Sequence, residues 1–196
     1  MTKLRIISGD LRGRCVSVGE GAAYRPTQER VRESVAEIVK RKIWGAATAD
    51  LCAGSGAFGF EMVSRGAASA DFVEADGRAA DIIAASAAEL GVGKKVRVIR
   101  DDIRRFADNA EKGRYDIIFY DPPYDNEELR GLTPRLLCLL KEGGLLIYER
   151  RRARHEKRSA DTGGKTNIID ARIYSDTVIE IYKREENADS ADTGNV

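Results

Sequence analysis

The sequence predicts an α/β chain: a mostly parallel, seven-stranded, doubly wound sheet of the Rossmann-like kind, closed by an antiparallel hairpin. Three observations predict it. Between Ala47 and Glu149 short apolar runs alternate with helical stretches, each long enough for a crossover. The run Tyr115–Tyr120 has the length of a strand and is too apolar for anything but burial on both faces. Near the end, 166–174 and 177–182 are separated only by Ser175 and Asp176. No crossover fits in two residues, so this pair is antiparallel and lies at the sheet edge.

The elements follow in order. Leu4–Ser8 and Arg14–Val18 flank the turn sequence Gly9-Asp-Leu-Arg-Gly13 and read as a hairpin. Thr27 is placed to cap a helix that carries Val31, Val35, Ile38, Val39 and Ile43 on one face. A strand over Ala47–Cys52 leads to a helix over Ala57–Arg65, stopped by Gly66. Next come a strand over Ser69–Glu74, an alanine-rich helix over Gly77–Leu90, a strand over Lys95–Arg100 and a short helix from Asp102. After the Tyr115–Tyr120 strand, one helix is expected over Asn126–Leu140 and a strand over Gly144–Glu149. The expected organisation is a basic hairpin-and-helix extension over 1–45, a main domain over 46–184 and a disordered acidic tail over 185–196.

Composition narrows the function. The chain has 196 residues, 42% hydrophobic and 33% charged, as in a globular protein with one sizeable core. No apolar run approaches membrane-spanning length, and the N-terminus lacks a signal-peptide pattern, so a cytoplasmic protein away from membranes is expected; a monomer is the separate expectation for its assembly. Cys15, Cys52 and Cys138 form no CxxC pair and His155 is the single histidine, so neither a metal site nor a disulfide framework is expected. Charge is unevenly spread. Residues 1–45 hold ten Lys/Arg against five Asp/Glu, and residues 149–158 hold six against two. Two basic patches on an acidic body point to a polyanion partner.

The chemistry gathers where strands end. Gly54, Gly56 and Gly59 spell GxGxxG between the first parallel strand and its helix, and Glu74 follows twenty residues after Gly54. This pattern suits an adenosine-bearing cofactor, with the loop (Ser55 included) against the ligand and Glu74 on a ribose diol. The loop alone leaves nicotinamide and S-adenosylmethionine open. Three features favour S-adenosylmethionine. Asp50, just before the loop, suits a cationic amino-acid moiety and would repel a pyrophosphate. Asp102, or its neighbour Asp101, can accept from an adenine amino group while Ile103 covers the ring. The closing antiparallel hairpin is the third.

Asp121-Pro122-Pro123-Tyr124 then ends the central strand. Two prolines forbid helix and further ladder pairing, so the turn is stiff. It presents the Asp121 carboxylate and the Pro122 carbonyl beside the Tyr124 ring, a receptor for a planar base bearing an NH2 group. No Ser/His or Cys/His nucleophile pair is apparent.

With these residues in hand, the chain resembles the RsmD family of class I methyltransferases from Leu4 to Tyr182. The resemblance rests on Arg5-Ile-Ile-Ser-Gly9 with Arg12-Gly-Arg14, on Arg25-Pro-Thr27 with Arg30-Val-Arg-Glu33, and on Ala53-Gly-Ser-Gly56. Ser64-Arg-Gly-Ala67, Phe72-Val-Glu74 and Asp121-Pro-Pro-Tyr124 complete it. Cys52 departs from the family's usual bulky aromatic, and Ser86 from its usual Asn. The resemblance implies methyl transfer from S-adenosylmethionine to the exocyclic N2 of a guanine in small-subunit ribosomal RNA, free or in an assembling subunit. Within the basic 1–45 segment, Arg12, Arg14, Arg25 and Arg30 are candidates for RNA contact, and the resemblance lets Arg25 alternatively close over the cofactor. The rivals are another RNA or DNA amino-group methyltransferase with the same Asp-Pro-Pro-Tyr motif, a nicotinamide oxidoreductase, and an inactive RNA-binding assembly factor.

Overall fold

The computed structural model describes residues 2–19, 29–123, 127–153 and 167–185. At the N-terminus β1 (Thr2–Arg5) and β2 (Cys15–Val18) pair antiparallel, and α1 (Glu29–Val39) continues through a single 3-10 turn, Lys40–Lys42. The alternating part follows as β3 (Ala47–Leu51), α2 (Ala57–Ser64), β4 (Ser69–Glu74), α3 (Gly77–Leu90), β5 (Val96–Arg100), α4 (Ile103–Asn109) and β6 (Tyr115–Tyr120). Two short helices, α5 (Glu127–Arg130) and α6 (Thr133–Leu139), precede β7 (Leu140–Arg151), β8 (Ile168–Tyr174) and β9 (Thr177–Lys183).

Seven strands form one sheet in the order β5-β4-β3-β6-β7-β9-β8. The first five in that order are parallel, and β9 lies antiparallel between β7 and β8. The order reverses between β3 and β6, which places a crevice at their carboxyl ends. Strand β6 is buried on both faces, as its composition predicts. Ile118 and Tyr120 pack with Ile103, Phe106, Leu136 and Leu139 from the helices on one side, whereas Ile117 and Phe119 pack with Val35, Phe58 and Met62 on the other.

The expected single helix over Asn126–Leu140 is broken in two. Asn126 lies outside the described residues, and the chain turns at Gly131–Leu132 before α6 begins with Pro134 in its first turn. Proline lacks an N–H and clashes with the carbonyl four residues earlier, so it is tolerated at a helix start and not within one continuous helix. The following strand is longer than expected, because Leu140 already pairs with Tyr115 before a bulge shifts the register to Ile117 and Leu145. Beyond Glu149 the strand is extended by its antiparallel partner, with Arg151 opposite Thr177.

The N-terminal hairpin is bound to the sheet layer. Ile6 and Val16 join Phe60, Val63, Phe72 and Ile83 in one apolar cluster. The fully buried Glu61 of α2 accepts the Ile7 N–H at 2.8 Å and the Ser8 N–H at 3.1 Å, and pairs with Arg65 Nε at 2.8 Å. Gly9 has φ +84, and a Cβ there would stand 1.9 Å from the Ser64 carbonyl oxygen. Only glycine permits that approach.

Candidate active site

Strand register brings the chemistry together at one edge. Leu51 pairs with both Val73 and Tyr120, and Glu74 pairs with Arg100, so the loops after β3, β4, β5 and β6 are neighbours. Backbone bonds tie those loops to one another: Ala53 N–H to the Val73 carbonyl at 3.1 Å, Asp101 N–H to the Glu74 carbonyl at 3.2 Å, and Asp121 N–H to the Leu51 carbonyl at 3.4 Å.

The glycine loop is shaped by left-handed backbone. Cys52, Gly54 and Gly56 have φ of 59°, 54° and 71°. The three glycines of the fingerprint have separable reasons. Gly54 donates its N–H to Glu74 Oε2 at 2.8 Å, Gly56 turns the chain into α2, and Gly59 lets the helix approach the sheet. A Cβ on Gly59 would meet the Phe72 ring at 2.4 Å. Glu74 also accepts the Asp76 N–H through Oε1 at 2.8 Å. Its carboxylate therefore joins the glycine loop to the start of α3, and each oxygen keeps a further lone pair for a ligand hydroxyl. This arrangement fits the nucleoside end of a cofactor.

Asp50 lies beneath the loop. It is 3% exposed, and its Oδ2 accepts the Gly59 N–H at 2.9 Å. The residue before α2 is Gly56, which has no side chain to cap the helix, so Asp50 supplies the acceptor from the neighbouring strand. Burial raises its carboxyl to about 8 against the Gly59 hydrogen bond, which favours the anion, while the Glu74 charge adds to the rise. Ser55 is buried in the same loop.

Asp102 caps α4 by accepting the Arg104 N–H at 2.9 Å, and its other oxygen meets the Arg104 guanidinium at 3.1 Å. It remains about half exposed, at 46%. Asp101 pairs with Arg105, and Ile103 is buried beneath. Asp121 is half-buried, Pro122 is buried and Pro123 is exposed, while Tyr124 lies outside the described residues. Cys52 reports the field of this edge. Burial pushes its thiol well up, and the carboxyl groups of Glu74, Asp121, Asp50 and Asp102 add to the rise.

The arginine candidates separate. Arg30 is exposed in the first turn of α1. Arg12 is exposed in the hairpin turn, at the opposite edge of the sheet, where α2 ends. Arg14 donates its guanidinium to the Leu90 carbonyl at 2.9 Å and to the Glu89 carbonyl, closing the C-terminus of α3. Arg25, His155 and much of the 149–158 basic run lie outside the described residues. One site-edge acid was not singled out from the sequence. Glu149 is 3% exposed, one residue beyond the Tyr120–Tyr148 pair and thus next to Asp121 at the sheet's edge. Its signal is its place at the end of the apolar run 144–148 within the strand, obscured by the arginines that follow.

This strand order, with the glycine loop after the central strand and an antiparallel last hairpin, defines a class I methyltransferase fold. A family model described as Conserved hypothetical protein 95 matches residues 4–183. YlbH of Bacillus subtilis is 31% identical over 185 residues, spanning 92% of this chain and 99% of its own. Ribosomal RNA small subunit methyltransferase D of Escherichia coli is 36% identical over 148 residues, spanning 75% of this chain and 71% of that protein. The solved structure of yhhF from Escherichia coli is similar with a TM-score of 0.78 at 29% identity, covering 94% of this chain and 99% of that one. The chain belongs to this family, the RsmD family of class I methyltransferases.

Proposed function

We propose that the protein methylates the exocyclic N2 of a guanine in small-subunit ribosomal RNA, with S-adenosylmethionine as cofactor. The observation that carries the reading is the Asp121–Pro123 turn at the end of β6, one strand away from the glycine loop after β3. The 36% identity to the Escherichia coli rRNA methyltransferase supports the substrate class.

When bound, S-adenosylmethionine supplies an electrophilic methyl group on a sulfonium. Glu74 with the Gly54–Gly56 loop would hold its nucleoside end, and Asp102 with Ile103 would receive the adenine. The chain's remaining task is to orient a poor nucleophile. The N2 lone pair of guanine is delocalised into the ring. Hydrogen bonds donated by the amine to Asp121 and to the Pro122 carbonyl localise that pair and aim it. The same acceptors favour the positive charge that develops on nitrogen. Tyr124 stacks on the base, which has to leave its RNA stem to enter. With the nitrogen so aimed, the bound cofactor would supply the methyl group, and the nitrogen, made acidic by its new substituent, would lose its proton to solvent, so Asp121 need not be a strong base.

The test uses small subunits from a strain that lacks this family's methylation. Incubation with the protein and labelled S-adenosylmethionine is expected to yield N2-methylguanosine at one position by nucleoside mass spectrometry. Label appearing only in methylated adenine or cytosine would overturn the base assignment, and no label at all would overturn the reading.

A further inference from the structure

The sheet edge opposite the site carries a feature that catalysis does not use. Trp44, the single tryptophan of the chain, is 86% exposed. Its position is held. Gly45 has φ +72 and donates its N–H to the Gly66 carbonyl at 2.9 Å, and the Ala46 N–H bonds the Ile43 carbonyl at 3.0 Å. The six-membered part of the indole rests on Gly66, where a Cβ would stand 2.5 Å from Cε3, so any larger residue there would displace the ring. A single exposed apolar side chain is ordinary on a protein surface; what marks Trp44 is that its open aromatic face stands beside a run of cations.

Its surroundings are cationic. The turn Lys40-Arg41-Lys42 ends two residues before it. The hairpin turn that carries Arg12 packs against Ser64, two residues before Gly66, so Arg12 flanks the end of α2 that seats the indole. Arg12, Arg41 and Lys42 are exposed and enter no ion pair among the described residues. Of the acidic groups here, Glu37 is engaged by Lys40 and Arg65, Glu61 is buried, and Asp10 is exposed in the hairpin turn. An exposed aromatic beside cations that enter no ion pair is the composition that binds an unpaired nucleotide: base on the ring, phosphates on the charges.

We infer that Trp44, with Arg41, Lys42 and Arg12, forms a second RNA-contact surface that stacks an unpaired base. The inference takes RNA as substrate from the proposed function and deepens it. Strand β3 has five residues, so this surface lies roughly 16 Å from the catalytic edge. The enzyme thus grips its RNA at two edges, and recognition extends past the nucleotide that is methylated.

Because Trp44 is the single tryptophan, its fluorescence reads the surface directly. Titrating the full chain with unstructured single-stranded RNA is expected to quench that emission in parallel with the anisotropy of a labelled oligomer. Trp44→Ala is expected to weaken RNA binding about tenfold, Trp44→Phe to retain most of it, and Arg41→Ala with Lys42→Ala to lower the salt slope by about 1.4. S-adenosylhomocysteine affinity is expected to be unchanged in all of them. RNA that saturates by anisotropy without quenching Trp44, and binds Trp44→Ala as it binds the parent, would overturn the inference and leave the methyltransferase reading intact. Emission that changes with protein concentration alone would overturn it in favour of self-association. Quenching without guanine methylation would sink the proposed function and keep this surface.

Discussion

Asp121 and Asp50 are both acids at strand ends, but their surroundings give them different work. Asp121 is half-buried at the start of the Asp-Pro-Pro turn, and in the proposed function it accepts from a substrate amine. Removing one preorganised acceptor commonly costs about a hundredfold to a thousandfold in rate. Asp121→Ala is therefore expected to lose that much single-turnover methyl transfer while S-adenosylhomocysteine binding by calorimetry stays near the parental value; parental turnover would place the site elsewhere. Asp50 is instead a buried cap for α2 whose carboxyl titrates at about 8. Its folded value lies above the ordinary carboxylate value near 4. The folded state consequently binds the extra proton between those limits. The associated stability is fully present below about pH 4, falls as pH rises, and is gone above about pH 8. Asp50→Asn keeps an acceptor for Gly59 without the charge. Urea unfolding across that range is expected to show a flatter pH profile for Asp50→Asn than for the parent. Parallel profiles would mean that Asp50 is ionised throughout.

At the scale of elements, the N-terminal hairpin depends on one buried carboxylate. Glu61 serves two hairpin amides and Arg65, and Arg32, 1% exposed in α1, reaches the Arg5 carbonyl at 3.2 Å. Burial lowers the Arg32 guanidinium, opposed by the charges of Glu61 and Glu29. Glu61→Ala leaves these donors without their acceptor, and breaking a buried pair in this way costs about 3–5 kcal/mol. Chemical denaturation is expected to show a loss of that size. A loss within about 0.5 kcal/mol, the size of an ordinary surface change, would show that the apolar cluster around Ile6 and Val16 holds the hairpin by itself.

For the whole molecule, the acids at the carboxyl edge are partly answered by arginines, Arg104 on Asp102 and Arg105 on Asp101, whereas Arg12, Arg41 and Lys42 at the other end of the strands enter no ion pair among the described residues. RNA affinity is expected to fall steeply as salt rises, because phosphate contacts release counterions. Arg12→Gln is the cleaner charge probe, since Arg14 closes α3 and its loss would also cost stability. Arg12→Gln is expected to reduce the slope of log affinity against log salt by about one, with cofactor binding unchanged. An unaltered slope would leave Arg12 outside the RNA interface.

How much was legible in advance depended on range. Local pattern determined which segments are strands, the two-residue closing hairpin, the glycine fingerprint and the proline turn, because each is set by residues adjacent in the chain; strand ends followed the pairing partner instead, so the first strand is Thr2–Arg5 rather than Leu4–Ser8 and β7 runs Leu140–Arg151. It failed at Asn126–Leu140, where helical apolar spacing concealed the stop imposed by Pro134. The sequence also carried the class of protein, since glycine loop, Glu74 and Asp-Pro-Pro-Tyr are fixed offsets within successive strand ends. Only the tertiary structure decided what long-range neighbours made of those residues. Asp50 met Gly59 beneath the loop, Glu61 met the Ile7 and Ser8 amides 54 and 53 residues away, and Arg14 met the end of α3. Charge and residue type are written in the sequence, but burial and partners come from packing, and these determine whether a charged side chain binds a ligand or holds the fold.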